Sequence, residues 1–192
     1  MRILDPPPVN LEVPPGTIAT LSGASGIGKS LFLRAIIDLD QNQGEVLLGK
    51  LYRNAMPAPA WRRLVGFLPA ESSWWRDSVI EHFTNSQKAP LNALALEQEC
   101  LKWQVARLSS GERQRLALAR LQAQEPKALL LDEPTANLDK ANSERVETFI
   151  QHYCRNHKTP IIWISHDREQ CRRIGQRHFE MDDAGLRKAQ WN

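Results

Sequence analysis

The stretch whose reading decides the fold is "GASGIGKS", Gly23 to Ser30. It matches G-x-x-x-x-G-K-[ST]. In that pattern the glycines let backbone N–H groups wrap a polyphosphate, the lysine reaches the outer phosphates and the hydroxyl can ligate Mg2+. The flanks supply the context this chemistry requires. Before the loop, "TIATLS" (17–22) is a short β-branched run, and after it "KSLFLRAIIDL" (29–39) has the apolar spacing of a helix. The candidate nucleotide-binding set is therefore Gly23, Ala24, Ser25, Gly26, Ile27, Gly28, Lys29, Ser30 and Leu31. Lys29 is also a candidate catalytic group, and Ser30 a candidate metal ligand.

Working outward, "QNQGEVLLGK" predicts a turn and a strand at 45–48, and "RRLVGFLP" (62–69) predicts another after a Pro- and Ala-rich connection. Residues 71–107 change character. They carry Trp74, Trp75 and Trp103 and predict two helices without a clear strand, a helical insert. Within it Trp75, Val79 and Phe83 fall at i, i+4 and i+8 and would share one helix face, with Trp74 left to solvent. Further on, "KALLLDEP" (127–134) and "PIIWISHD" (160–167) read as buried strands. Lys140 to His157 reads as a long helix, and "DREQCRRI" (167–174) opens another. Continuously apolar strands alternating with helices predict an α/β fold, a mostly parallel sheet covered on both faces.

The chain has 192 residues, which suits one domain with a core of its own. Its net charge of +3 is slight and its arginines are spread out, so nucleic acid is not an expected partner. Cys100, Cys154 and Cys171 are scattered and show no C-x-x-C spacing, which suits a reducing compartment more than metal binding. The opening "MRILDPPPVNLEVPPG" has no apolar h-region and predicts no signal peptide. No apolar run approaches the ~20 residues of a membrane span.

Three more groups carry candidate chemistry. Asp132 ends a buried strand, where a carboxylate can hold Mg2+ through water, and Glu133 beyond it can polarise an attacking water. His166 ends another strand, where ligands gather in open α/β sheets, and is read as a γ-phosphate contact. The third group is "LSSGE" (108–112). Its Ser109, Ser110, Gly111 and Glu112 open an arginine-rich helix from Ser110, a ready anion site with free N–H groups and the positive end of the dipole.

Together these residues resemble the nucleotide-binding subunit of an ATP-binding cassette (ABC) transporter over nearly the whole chain. Gly23–Ser30 resembles the Walker A loop, Ala128–Glu133 the Walker B strand with its catalytic glutamate, "LSSGE" the signature motif, Asn137-Leu138-Asp139 the D-loop and His166 the switch histidine. The resemblance implies a P-loop NTPase fold, an ABC-type ATPase core with a short helical subdomain at about 71–110. It also implies ATP and Mg2+ as cofactors and Glu133, His166 and Lys29 as catalytic residues. Two subunits would pair head to tail, so that each signature serves the partner's ATP. The other partner would be an integral membrane permease, placing the chain peripherally on the cytoplasmic face of the inner membrane. Three departures stand out. Ala70, in "VGFLPAESSWW", replaces the family's usual glutamine; no aromatic precedes Phe32 to stack on adenine; and Ser110 and Glu112 replace a glycine and a glutamine. The different-class alternatives are a stand-alone P-loop ATPase or kinase, or a non-transport ABC ATPase.

Overall fold

The computed structural model describes residues 9–190; the proline-rich residues 1–8, within the stretch expected to hold no signal peptide, lie outside the described residues, as do 191–192. In chain order the regular elements are β1 (Ile18–Gly23), α1 (Lys29–Ile36), β2 (Leu47–Leu48), β3 (Leu51–Tyr52), α2 (Ala58–Leu64) and β4 (Val65–Leu68). They continue with α3 (Ser110–Gln122), β5 (Ala128–Asp132), α4 (Lys140–His157), β6 (Ile161–Ile164), α5 (Arg168–Ile174), β7 (Arg177–Asp182) and β8 (Gly185–Ala189). A six-stranded sheet runs in the order β4-β5-β6-β1-β7-β8. All its pairs are parallel except β7 with β8.

"ALLLD" and "IIWI" are buried at every position because the sheet is covered on both faces. Successive side chains alternate between those faces. Leu129 and Leu131 join Trp163, Leu116, Leu118, Val146 and Ile150 on the side of α3 and α4. Ala128 and Leu130 join Leu33 of α1, Trp61 of α2, Phe179 and Met181 on the other. The parallel sheet expected from sequence is thus present, with its carboxyl ends aligned. Leu21 and Asp132 both sit opposite Ile164, and Gly23 sits opposite Met181.

Several elements differ from the sequence-based expectations. The strand expected at 45–48 shrinks to Leu47–Leu48, which pairs only with β3 in a separate two-stranded sheet. The Pro- and Ala-rich connection holds α2, whose proline lies in the first helical turn, where a missing N–H is harmless. The two α-helices expected in 71–107 are absent. Short 3-10 turns take their place at Val79–His82, Ser86–Lys88, Asn92–Leu94, Gln98–Lys102 and Val105–Arg107. Their apolar residues Leu91, Leu94 and Leu96 turn inward at two- and three-residue spacing, and Ala95 adopts a left-handed φ of 52° that breaks any longer helix.

The tryptophan pair is also reversed. Trp75 is 66% exposed, whereas Val79 is fully buried and Phe83 half-buried against the core, so the three share no face. Trp74 is the half-buried ring, packed on the core with its ring centre 4.8 Å from that of His82 in an edge-on arrangement. Buried His82 causes this turn of the chain. Its Nε2 accepts the N–H groups of Trp75 and Arg76, each at 3.0 Å, which swings Trp74 inward and Trp75 outward. Among the described residues no helix is long and apolar enough to cross a membrane.

Candidate active site

The glycine-rich loop joins the end of β1 to α1. Gly23 is required by close approach, because a Cβ there would run into the Met181 carbonyl oxygen of β7. Gly28 takes φ 107° as the N-cap of α1 and offers no side-chain cap, so the first N–H groups of α1 stay free and no acidic residue crowds its first turn. Lys29 is 6% exposed, and its Nζ donates to the carbonyls of Gly23 and Ala24, each at 2.9 Å, leaving one of its three protons for a further acceptor. Burial lowers the Lys29 pKa, opposed by Glu133 and Asp132.

A polar support that sequence reasoning missed lies beneath the loop. Thr20 donates to the Arg177 carbonyl (3.2 Å), and His178 places Nδ1 2.9 Å from Thr20 Oγ1 and Nε2 3.2 Å from Ser22 Oγ. Both ring nitrogens of His178 are thus engaged by the hydroxyls of β1. Burial lowers its pKa.

Asp132 and Glu133 follow from β5. Asp132 is 5% exposed at the strand end. Glu133 takes a left-handed φ of 48°, fixed by its N–H donating to the Ile164 carbonyl at 3.1 Å. That turn swings its carboxylate toward the end of β6. Its Oε1 lies 3.3 Å from His166 Nε2, yet the contact is too poorly aligned for a hydrogen bond, and the oxygen is buried without one. Desolvation raises the Glu133 pKa, opposed first by His166 and more weakly by Lys29. His166 itself is half exposed.

Ser109 is the N-cap of α3. Its hydroxyl accepts from Glu112 N (3.2 Å) and donates to Glu112 Oε2 (2.7 Å), while that same oxygen accepts from Ser109 N (2.9 Å). These Ser109 donors lower the Glu112 pKa. A carboxylate therefore stands at the positive end of α3. A Cβ on Gly111 would meet Asn137 O and Leu138 Cδ2, each at 3.2 Å, so residues 109–112 adjoin 137–139. Asp139 caps α4 by accepting from Asn142 N at 2.9 Å.

Lys29, Asp132, Glu133 and His166 thus come together at the strand ends. Among the described residues, no hydrogen bond or ion pair joins 109–112 or 137–139 to 23–31. Ala70 is half-buried after β4, and the segment around it is tied to α3 by buried Gln114. That residue accepts from Ser72 Oγ (2.8 Å) and donates to the Pro69 carbonyl (3.5 Å). The Gln114 contact left no sequence signal, since it sits in a helix read for its arginines.

A parallel sheet with a glycine-rich loop after its central strand, and two acids ending the next strand but one, defines the P-loop nucleotide-binding class. Within that class, the family model described as ABC transporter matches residues 7–136, and the chain belongs to that family. It is 34% identical over 193 residues to the aliphatic sulfonates import ATP-binding protein SsuB 2 of Pseudomonas syringae pv. syringae (strain B728a), covering 96% of this chain and 66% of that protein. It is 29% identical to the probable iron export ATP-binding protein FetA of Escherichia coli (strain K12), covering 84% of this chain and 78% of that one. In fold it is similar to a dimeric ATP-binding cassette in a post-hydrolysis state bound to ADP and Pi, with a TM-score of 0.80 at 24% identity, covering 96% of this chain and 90% of the other. The chain spans about two thirds of the length of its SsuB relatives.

Proposed function

We propose that this chain is the ATP-binding and ATP-hydrolysing subunit of an ABC transporter. It would work as a head-to-tail dimer with a second ATP-binding subunit, a homodimer in the simplest case, and power a separate membrane permease from the cytoplasmic face. One observation carries the reading. The start of α1 lies near Glu133, whose charge acts on Lys29, whereas the start of α3 adjoins residues 137–139 instead. The α3 start, Ser109 to Glu112, is then left to receive the nucleotide held by a partner.

In this reading residues 23–31 hold the phosphates through backbone N–H groups, and Lys29 contributes its remaining ammonium proton and its charge. Glu133, with a raised pKa and a buried oxygen that has no hydrogen bond, is suited to accept a proton from the attacking water. His166, 3.3 Å from it, orients the carboxylate and contacts the γ-phosphate. The partner's copy of the 109–112 and 137–139 segments completes the site.

The donors fit Mg2+, because Ser30 Oγ and the Asp132 carboxylate are hard oxygens, and Asp132 lies close enough to Lys29 to raise its pKa. Mg2+ held by Ser30 and Asp132 would offset charge on the phosphate oxygens, and Ala70 would give it no ligand.

The test is the Glu133→Gln variant, followed by size-exclusion chromatography with light scattering. With ATP it should elute at twice the monomer mass while turnover falls to a small fraction of wild type. A variant that stays monomeric at high ATP and protein concentration overturns the homodimer. Nucleotide-independent dimerisation overturns ATP as the trigger.

A further inference from the structure

Behind the site lies a buried polar cluster that the phosphoryl chemistry does not use. Glu147 of α4 is 4% exposed and takes a two-pronged contact from Arg173 of α5, Nε to Oε2 at 2.8 Å and Nη2 to Oε1 at 2.8 Å. Gln170 of α5 is also 4% exposed, and both of its amide protons are engaged. One goes to Glu147 Oε1 at 2.8 Å, the other to Thr135 Oγ1 at 2.9 Å. Thr135 lies midway along the turn that runs from Glu133 to Asn137. At the other end of the connection, Asp167 caps α5 by accepting from Glu169 N (2.9 Å) and Gln170 N (3.1 Å), and Asp167 directly follows His166.

One buried amide therefore clamps the turn leaving Glu133 to the helix that begins just after His166. The turn requires holding. Glu133 has the left-handed φ of 48°, a conformation that a side-chain-bearing residue keeps only where its surroundings fix it. Local bonds from Ala136 N to Glu133 O (3.2 Å) and Leu138 N to Thr135 O (3.1 Å) shape the turn. The Gln170–Thr135 bond spans 35 residues and sets where the turn sits against α5.

We propose that Gln170 is a positioning residue: through Thr135 and Glu147 it fixes the spacing between Glu133 and His166, so that hydrolysis depends on an amide that never meets the nucleotide. This rests on the roles proposed above for Glu133 and His166. The competing account is that Gln170 merely satisfies the buried Glu147 carboxylate. Thr135→Val separates the two, because it keeps the side-chain shape, deletes the acceptor and leaves Gln170, Glu147 and Arg173 together.

The experiment uses the full chain, with Thr135→Val, Thr135→Ser and Gln170→Ala compared with wild type. Without nucleotide, hydrogen exchange at Ala136 and Leu138 should quicken about tenfold in Thr135→Val and Gln170→Ala, while exchange at Leu130 and Ile162 stays unchanged. In steady-state assays, kcat for ATP should fall on the order of tenfold in both, with KM within about twofold of wild type, since the phosphate loop is untouched. Thr135→Ser, which keeps the acceptor, should behave as wild type in both measurements. Unchanged exchange in Thr135→Val overturns the clamp. Quickened exchange with wild-type kcat, or a KM rise matching the kcat loss, overturns the positioning role. A wild-type protein without ATPase activity counts against the functional reading alone, because the exchange rates decide the clamp by themselves.

Discussion

Glu133 combines a left-handed backbone with a buried carboxylate oxygen that has no hydrogen bond. Burial holds its pKa above the ordinary carboxylate value, so the folded chain binds that proton more readily than the unfolded one. The ionised group therefore subtracts stability, and the loss grows as pH rises from the ordinary value through the raised one. Glutamine removes that charge, so Glu133→Gln should melt higher than wild type at neutral pH. The gap should close toward about pH 4, near the unfolded carboxyl pKa, in thermal melts across that range. Glu112 poses the opposite case. Its carboxylate is held ionised at the α3 N-terminus by Ser109, where it stabilises the helix but faces the place proposed for a partner's phosphate. Glu112→Gln should weaken the helix end by about 0.3–1 kcal/mol and tighten ATP-driven association, measured by light scattering over an ATP titration. Looser association would mean that the carboxylate's capping role outweighs its repulsion of phosphate.

At the scale of elements, the insert sets a packed tryptophan beside an exposed one, and the exposed one is a candidate contact surface for the permease proposed above. The Arg120 guanidinium of α3 lies 4.7 Å from the Trp74 ring centre and 5.0 Å from that of Trp75. It thereby joins a core ring and a solvent ring on one cation. Trp74→Ala should destabilise the chain on the order of 2–3 kcal/mol in urea titrations, as a half-buried ring is lost. Trp75→Ala should leave stability and basal ATPase near wild type while reducing co-purification with a co-expressed permease; equal co-purification would remove Trp75 from that surface. The reversal of these two residues shows where sequence stops being informative. β5 and α4 were legible because an unbroken apolar run and a long helical stretch are local signals. β7 and β8 were not, because "RHFEMD" and "GLRKA" mix polar residues into strands near the sheet edge. The proximity of Lys29, Glu133 and His166, the proposed catalytic group, follows from similarly local signals, since each stands at the end of a strand or loop. The Gln170–Glu147 contact joins residues 23 apart on two helices, and no spacing rule reaches it.

Across the whole molecule, the three cysteines report on integrity. All are buried and free. Burial pushes the Cys154 and Cys171 thiols up to about 11 and raises Cys100, so few thiolates exist at pH 8 and none is accessible. Alkylation should therefore wait for unfolding. Nucleotide at ~100 times its Kd should slow it by an amount equivalent to about 2.7 kcal/mol, provided refolding outpaces alkylation and only the folded chain binds. Rapid labelling of the native chain by iodoacetamide, followed by mass spectrometry, would contradict this.

The sheet order has a consequence for how the chain comes into being. β1, which leads into the phosphate loop, pairs along its two edges with β6 and β7, at Ile161–Ile164 and Arg177–Met181. A ribosome releases the loop early, but every strand that flanks it arrives after residue 160. Pairing across so long a separation is slow, because distant segments must meet before any bond repays the lost freedom. Until then Gly23 has no Met181 carbonyl to lean on and Lys29 has no settled cage. A nascent or prematurely terminated chain is therefore blind to ATP, however abundant the nucleotide. It cannot be folded around its ligand before those later strands arrive.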